Sequence, residues 1–121
     1  MSALTAYLHP KCGTCERARQ WLRQHGVAFV EKDIRATPPA VAELSAMQAA
    51  MGGERKKLLN TSGLEYRTQS LAAKLPGMGD TEALRLLAGN GMLVKRPFLI
   101  GPGVGLVGFD EKTWAHTLLR T

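Results

Sequence analysis

Apolar and polar residues follow a strand, helix, strand pattern in the first third of the chain. The run from Ala3 to Leu8 is short and apolar and predicts a buried first strand. From about Gly13 to His25 the apolar residues are spaced three to four apart, which predicts an amphipathic helix, and Gly26 is its expected stop. The run from Val27, continuing to Ile34, predicts a second strand. This order implies two parallel strands joined by a right-handed crossover.

The middle of the chain predicts only helices. A threonine and two prolines at residues 37–39 open a helix, with proline tolerated in its first turn, and the glycine pair at 52–53 ends it. The apolar stripe of this helix consists of Val41, Leu44, Met47 and Met51. Shorter helices are predicted over about Glu54–Leu59, Gln69–Leu75 and Thr81–Ala88, the last with Asp80 as its N-cap.

The last third of the chain predicts a β-hairpin and a final helix. Apolar runs at 97–100 and 106–109 are joined by a glycine-rich connection, and Asp110 is the expected cap of a helix that buries Trp114 and Leu118. The complete order, β-α-β, helices, β-β-α, is the thioredoxin-like arrangement, an α/β fold with a mixed four-stranded sheet. A length of 121 residues fits one domain, 1–121, with core segments 1–37 and 91–121 and a helical insertion at about 38–90.

Composition and charge narrow the class of protein. Hydrophobic residues make up 45% and charged residues 21%, as in globular domains rather than disordered chains. No apolar run approaches about 18 residues and no signal-peptide pattern opens the chain, so we expect a cytoplasmic protein without a membrane partner. The net charge of +6 favours anionic partners. The basic run Arg55–Lys57 is interpreted as a solvated helix face, and no specific nucleic-acid binding is expected.

Cys12 and Cys15, the two cysteines of the chain, lie where the first strand gives way to the first helix. Two cysteines do not complete a four-ligand zinc site and the three histidines have no paired spacing, so no metal site is predicted. Free N–H groups and the helix dipole favour a thiolate at Cys12, and Lys11 adds a positive charge. Cys15 lies one turn deeper. We predict that Cys12 attacks and Cys15 resolves the mixed disulfide; the alternative is a pair of small buried side chains.

The Arg96–Pro97 pair is a second candidate feature. A proline at the start of a central strand is unusual unless its peptide bond is cis, and a cis bond is predicted here. In thioredoxin-like folds a cis-proline at this point faces the cysteine turn, which places Arg96 beside Cys12. A guanidinium there is suited to hold an oxyanion or a glutathione carboxylate. The alternative is a solvated arginine at the end of a strand.

A third candidate is the polar stretch at residues 60–63, followed by an aromatic and a basic residue. Asn60, Tyr66 and Arg67 supply polar groups that are able to line the site. A helix C-terminus with a glycine exit explains the same residues equally well.

Four segments together resemble the arsenate reductase (ArsC)/Spx family. They are YLHPKCGTCERARQWL at 7–22, LLNTSGLEYR at 58–67, GMLVKRPFLI at 91–100 and VGF at 107–109. They stand in the family's order and cover nearly the whole chain. The resemblance implies a thioredoxin-like fold and thiol redox chemistry. The family holds glutathione/glutaredoxin-coupled arsenate reductases, uncharacterised thiol reductases and Spx-type regulators.

The chain departs from the family's arsenate reductases at the site itself. Those enzymes use a single cysteine, at the position of Cys12, and three arginines around the oxyanion. Arg96 matches one of these arginines, while Asn60 and Gly108 stand at or near the positions of the other two. Cys15 resembles the second cysteine of Spx-type proteins, in which the pair is a redox switch.

The residues and the resemblance together predict a cytoplasmic thiol oxidoreductase, with arsenate reduction supported only in part. Glutathione is the expected co-substrate, and glutathione, glutaredoxin or thioredoxin is the expected reductant, with no bound metal or organic cofactor. The alternative is a Spx-like redox-sensing regulator that binds RNA polymerase, with Cys12 and Cys15 as its disulfide switch. A third possibility is a family member whose cysteine pair is purely structural.

Overall fold

A mixed four-stranded sheet forms the centre of the protein, in a computed structural model that describes residues 4–119. The strands are β1 (Leu4–Leu8), β2 (Phe29–Asp33), β3 (Phe98–Gly101) and β4 (Val104–Val107), in the spatial order β2-β1-β3-β4. β1 pairs parallel with β2 and antiparallel with β3, and β3 pairs antiparallel with β4. The predicted α/β fold with a mixed sheet is confirmed. Ala3, the predicted first residue of β1, lies outside the described residues.

Helices cover both faces of this sheet. Within residues 4–119 the α-helices are α1 (Gly13–Gln24), α2 (Val41–Ala50), α3 (Leu64–Thr68), α4 (Leu71–Lys74), α5 (Asp80–Ala88) and α6 (Glu111–Leu118). Short 3-10 helices occupy Arg55–Leu58, Leu75–Gly77 and Gly91–Leu93. None of the helices in this part of the chain is long and apolar enough to cross a membrane.

The sheet carries one hydrophobic cluster on each face, because successive strand residues point to opposite sides. On one face β1 and β3 contribute Tyr7, Phe98 and Ile100, which belong to the same cluster as the buried residues of α2 and α5. On the other face they contribute Ala6, Leu8 and Leu99, which cluster with the buried residues of α1 and α6. Cys15 belongs to this second cluster, so the cysteine pair lies at the edge of the core formed by α1 and α6.

The start of α2 differs from the prediction. Pro38 and Pro39 precede the helix instead of lying in its first turn, and Ala40 is the N-cap. The Glu43 carboxylate accepts a hydrogen bond from the Ala40 backbone N–H at 3.0 Å, which fixes the start at this point. Val41, expected in the buried stripe, lies in the first turn and is 38% exposed.

Two further boundaries also differ. Asp80 is the first residue of α5, and Gly79 rather than Asp80 is its N-cap. The Asp80 carboxylate accepts a hydrogen bond from the Arg55 guanidinium at 3.1 Å, a tertiary contact that competes with capping. The β3–β4 connection is also shorter than predicted, because Pro102 and Gly103 alone form the turn, with Gly103 at a φ of +72°.

Two short helices, α3 and the 3-10 helix Gly91–Leu93, share no residue with any predicted helix. The helix α3 buries none of its side chains, so it has no apolar periodicity to detect. It is tied to the rest of the insertion by the Glu65 carboxylate, which accepts a hydrogen bond from the Asn90 amide at 2.6 Å. The 3-10 helix Gly91–Leu93 is capped by the same asparagine, whose side-chain oxygen accepts from the Met92 N–H at 3.0 Å. The helix α3 therefore depends on a tertiary contact, whereas the 3-10 helix has a local cap.

Gly91→Ala is expected to destabilise the fold. A Cβ at position 91 would lie 1.8 Å from the Ile34 carbonyl oxygen, so the backbone after β2 or the 3-10 helix must move. Overpacking of this kind costs about 1–3 kcal/mol or more. Gly77→Ala is the matched control, because a Cβ there meets nothing within 4 Å. Urea unfolding measures both variants, and equal midpoints would show that Gly91 is not sterically required.

Candidate active site

Cys12 lies at the junction between β1 and α1. It is the N-cap of α1, with extended backbone angles of φ −101° and ψ 121°. Its N–H donates to the His9 carbonyl at 3.2 Å, and its own carbonyl accepts from the Glu16 N–H at 3.0 Å. The sulfur is half-buried at a helix end where backbone N–H groups lack partners within the helix. This position favours negative charge on the sulfur.

The pKa of the Cys12 thiol is lowered. Its partial burial acts in the opposite direction and raises the pKa, but hydrogen bonding outweighs it. The sulfur is stabilised by the backbone and the thiol of Cys15, by the Arg96 guanidinium and by the backbone of Thr14. Cys12 therefore carries more thiolate at neutral pH than an ordinary cysteine, and it remains partly accessible for attack.

Cys15 has the opposite environment. Its side chain is 0% exposed in the cluster beneath α1 and α6. Burial, together with the adjacent Cys12 sulfur, raises the pKa of its thiol to about 12, against the lowering effect of the His9 N–H. That N–H donates to the Cys15 sulfur at 3.4 Å. Both cysteines are free thiols, and Cys15 is protonated at neutral pH.

Arg96 and Pro97 complete the group around Cys12. The Arg96–Pro97 peptide bond is cis, as predicted. The Pro97 carbonyl accepts from the Gly108 N–H at 2.9 Å, which ties this segment to the end of β4. The Arg96 guanidinium lowers the pKa of Cys12, and its charge also lowers that of His9. The Nη1 atom of Arg96 is buried and has no hydrogen-bond partner within residues 4–119, so a donor is available for an anionic group.

His9 is a site residue that the sequence does not single out. Its backbone serves both cysteines, since the N–H donates to Cys15 and the carbonyl accepts from Cys12. Its ring Nδ1 accepts from the Lys11 N–H at 3.0 Å. Burial lowers the pKa of His9, as do the charges of Arg96, Arg35 and Lys11, so the ring is neutral at pH 7. The only sequence signal is its position between the first strand and Cys12.

The other predicted site residues are placed less directly. Lys11 is exposed, and its charge acts on His9. Asn60 binds the segment that leads to Arg96, because its N–H donates to the Leu93 carbonyl at 2.8 Å. Tyr66 packs against the α2 and α5 side of the core and lines a separate cavity of about 220 Å³. Arg67 is exposed in the last turn of α3.

The contacts thus bring Cys12, Cys15 and Arg96 together and join Asn60 to them through the backbone. Tyr66 and Arg67 belong to the insertion, and their roles in the site stay predictions. In the part of the chain that the structure describes, no three His, Cys, Asp or Glu side chains are grouped to hold a metal ion.

Comparison with known proteins identifies the family to which this chain belongs. The ArsC family model matches residues 7–117. The chain belongs to the ArsC family. The uncharacterized protein YusI of Bacillus subtilis is 44% identical over 117 residues, which cover 93% of this chain and 99% of that protein. The similarity to YusI therefore extends over nearly the full length of both proteins.

Two more similar proteins have names that point to different functions. The crystal structure of a possible arsenate reductase from Streptococcus mutans has a TM-score of 0.83 and 39% identity, covering 90% of this chain and 92% of that one. The global transcriptional regulator Spx of Enterococcus faecalis is 31% identical over 108 residues, covering 89% of this chain and 80% of the regulator. The predicted ArsC/Spx resemblance is confirmed, and the likeness includes both reductase-like and Spx-like proteins.

Arg96→Gln is expected to slow alkylation of Cys12 at neutral pH. Removing the guanidinium raises the pKa of Cys12, so less thiolate is present at pH 7 and the rate falls by at least about threefold. At a pH well above the pKa of Cys12 in both the unaltered protein and the variant, the thiol is ionised in each and the two alkylation rates converge. Iodoacetamide labelling over a pH series, followed by peptide mass spectrometry, measures this. Arg85→Gln, an exposed arginine in the last turn of α5, is the control, and an equal effect of the two substitutions would remove Arg96 from the site.

Proposed function

We propose that this ArsC family protein is a thiol–disulfide oxidoreductase in which Cys12 is the nucleophile and Cys15 the resolving thiol. The observation that carries the proposal is the contrast between the two sulfurs. Cys12 is half-buried at a helix N-terminus with a lowered pKa, whereas Cys15 is fully buried with a pKa of about 12. A nucleophile must be ionised and accessible, and a resolving thiol must be near it but protected from other reactants.

The proposed reaction proceeds in two exchanges. The Cys12 thiolate attacks one sulfur of a substrate disulfide, forms a mixed disulfide and releases the other sulfur as a thiolate. Cys15 then loses its proton and attacks the Cys12 sulfur, which releases the second substrate thiolate and leaves a Cys12–Cys15 disulfide. Two electrons have passed from the cysteine pair to the substrate. Glutathione, glutaredoxin or thioredoxin restores the two thiols by the same exchange, and no metal or organic cofactor takes part.

Arg96 is the proposed contact for an anionic part of the substrate. Its buried and unpartnered Nη1 atom needs an acceptor, and a carboxylate is a stronger acceptor than a neutral group. A glutathione carboxylate beside Cys12 would satisfy this nitrogen during the exchange. A doubly charged oxyanion such as arsenate would also meet this donor, but Asn60 and Gly108 do not supply the further guanidinium groups of the family's arsenate reductases.

Substitution of each cysteine is expected to give opposite results with oxidised glutathione. Cys15→Ser leaves the nucleophile without a resolving thiol, so one glutathionyl group should accumulate on Cys12. Cys12→Ser should accumulate none, and the unaltered protein should lose two hydrogens as the internal disulfide forms. Intact-mass spectrometry before and after reduction measures all three. Glutathionylation of Cys15 in the Cys12→Ser protein at a comparable rate would reverse the assigned roles.

Arsenate is expected to bind weakly, and Asn60→Arg is expected to strengthen it. Two missing charge-assisted hydrogen bonds, each contributing about 1.5–3 kcal/mol, reduce affinity by at least about tenfold. Position 60 is the one to restore, because Gly108 has a φ of +69° that disfavours a side chain. Asn60→Gln is the uncharged control. Arsenate reduction in the presence of glutathione and glutaredoxin is measured, and efficient turnover by the unaltered protein would contradict the expectation.

The second candidate function is a Spx-like redox-sensing regulator. It is favoured by the 31% identity to the regulator Spx of Enterococcus faecalis and by the paired cysteines. In that case Cys12 and Cys15 act as a switch, and the partner is RNA polymerase. Pull-down of purified RNA polymerase by the oxidised and the reduced protein separates the two functions. A redox-dependent complex without catalytic turnover of disulfides supports the regulator, and turnover without a complex supports the oxidoreductase.

A further inference from the structure

The two sulfurs of the redox site also form a candidate ligand pair for a metal ion. Cys12 and Cys15 are both free thiols, and they are close enough for their side chains to hydrogen-bond to each other. Thiolate sulfur is a soft ligand, which selects soft cations such as Cu(I) over hard cations such as Mg²⁺. Both cysteines lie at the start of α1, and Cys15 is packed into the core, so the fold brings the ligand pair together before any cation binds.

The number of ligands limits which soft cation fits this pair. Across residues 4–119, no third His, Cys, Asp or Glu side chain is grouped with the two cysteines. Structural zinc takes four protein ligands in a tetrahedron, and catalytic zinc takes three and a water molecule. Cu(I) has a filled d shell and a single charge, and two thiolates in a linear arrangement satisfy it. A pair of sulfurs with no further ligand therefore fits Cu(I) and does not fit zinc.

The charge of the site also favours a monovalent ion. Two thiolates with one Cu(I) carry a single negative charge, whereas two thiolates with a divalent ion are neutral. The Arg96 guanidinium stabilises negative charge on the Cys12 sulfur, and its buried Nη1 atom has no hydrogen-bond partner from the described part of the chain. One guanidinium offsets the charge of the Cu(I) complex, but it leaves a divalent complex with an excess positive charge. An unbalanced charge away from water is costly.

Backbone donors support both sulfurs from outside the ligand pair. The N–H groups of Thr14 and Cys15 stabilise negative charge on the Cys12 sulfur. The His9 N–H donates to the Cys15 sulfur at 3.4 Å. Hydrogen bonds to metal ligands fix their orientation, and their loss typically costs about 10–100-fold in metal affinity. Cys15 is fully buried and Cys12 is half-buried, so a cation enters past Cys12 and is shielded from water on its other side.

We propose that Cys12 and Cys15 of the reduced protein bind one Cu(I) ion between their sulfurs, with Arg96 as the neutralising group outside the ligand pair. Each thiol gives up its proton to solvent as its sulfur binds the ion, and no electron is transferred. The bound ion occupies both sulfurs, so the copper form is protected from alkylation and from oxidation to the disulfide. Neither the ligand pair nor the charge balance depends on which reaction the two cysteines carry out.

The test is an anaerobic titration of the reduced protein with Cu(I) in competition with the chromophoric chelator bathocuproine disulfonate. The unaltered protein is expected to withdraw one Cu(I) per chain from the chelator. Cys12→Ser and Cys15→Ser should each lose this binding, because only one sulfur remains. Arg96→Gln should weaken it by at least about tenfold, as the loss of a group that supports a metal ligand does. Arg85→Gln, at an exposed arginine of α5, is the matched control and should bind within about twofold of the unaltered protein.

Three outcomes would overturn the copper site. Undiminished Cu(I) binding by either serine variant shows that the pair is not the ligand set. Zn(II) that displaces Cu(I) at equal concentration shows that ligands other than the two sulfurs take part. A complex of two chains around one ion, seen by native mass spectrometry, shows that the site is shared between copies. Exchange of the metal-free protein with oxidised glutathione tests the proposed function separately, so a protein that exchanges but does not bind Cu(I) keeps the oxidoreductase function and lacks the metal site.

Discussion

The turn between β1 and α1 is the constraint on which the site depends. β1 is an inner strand, and its end is fixed by pairing with β2 up to Leu8 and with β3 up to Tyr7. One residue further, the His9 backbone contacts both sulfur-bearing residues, with its carbonyl to the Cys12 N–H and its N–H to the Cys15 sulfur. The placement of the two cysteines is therefore fixed in part by the sheet and by the backbone of one residue, His9. This placement does not require a particular side chain at position 9.

The different behaviour of two identical side chains follows from this geometry. Cys15 is three positions after Cys12, which is nearly one helical turn, so one sulfur lies at the end of the helix and the other on its buried side. The first meets hydrogen-bond donors and the second meets the core. In the proposed mechanism the Cys12 thiol also ceases to raise the pKa of Cys15 once it is bound in a mixed disulfide, while the His9 N–H still favours the Cys15 thiolate. The first exchange thus prepares the second.

The sequence predicts the parts of the structure that local chemistry determines. The apolar periodicity of α1, the positive φ of Gly26 and the cap at Asp110, which accepts from the Lys112 N–H, follow from residue type and spacing. Elements held by tertiary contacts were missed or displaced, as with α3 and with Asp80, which pairs with Arg55. The same limit applies at the site. Cysteine spacing identifies the sulfurs, but a backbone contact such as that of His9 is available to any residue and leaves no signal in the sequence.

The helical insertion determines where Arg96 stands, although it lies between residues distant from the cysteines. The Asn60 N–H binds the Leu93 carbonyl at 2.8 Å and the Lys95 N–H binds the Leu58 carbonyl at 2.7 Å, which forms a short antiparallel bridge just before Arg96. These bridge contacts join backbone atoms, and the Asn60 side-chain amide adds one long hydrogen bond to the Met92 carbonyl at 3.5 Å. The bridge itself therefore does not require a particular side chain at position 60. The backbone of the insertion thus holds the start of the Arg96–Pro97 segment, and the Arg96 side chain is left to act on Cys12.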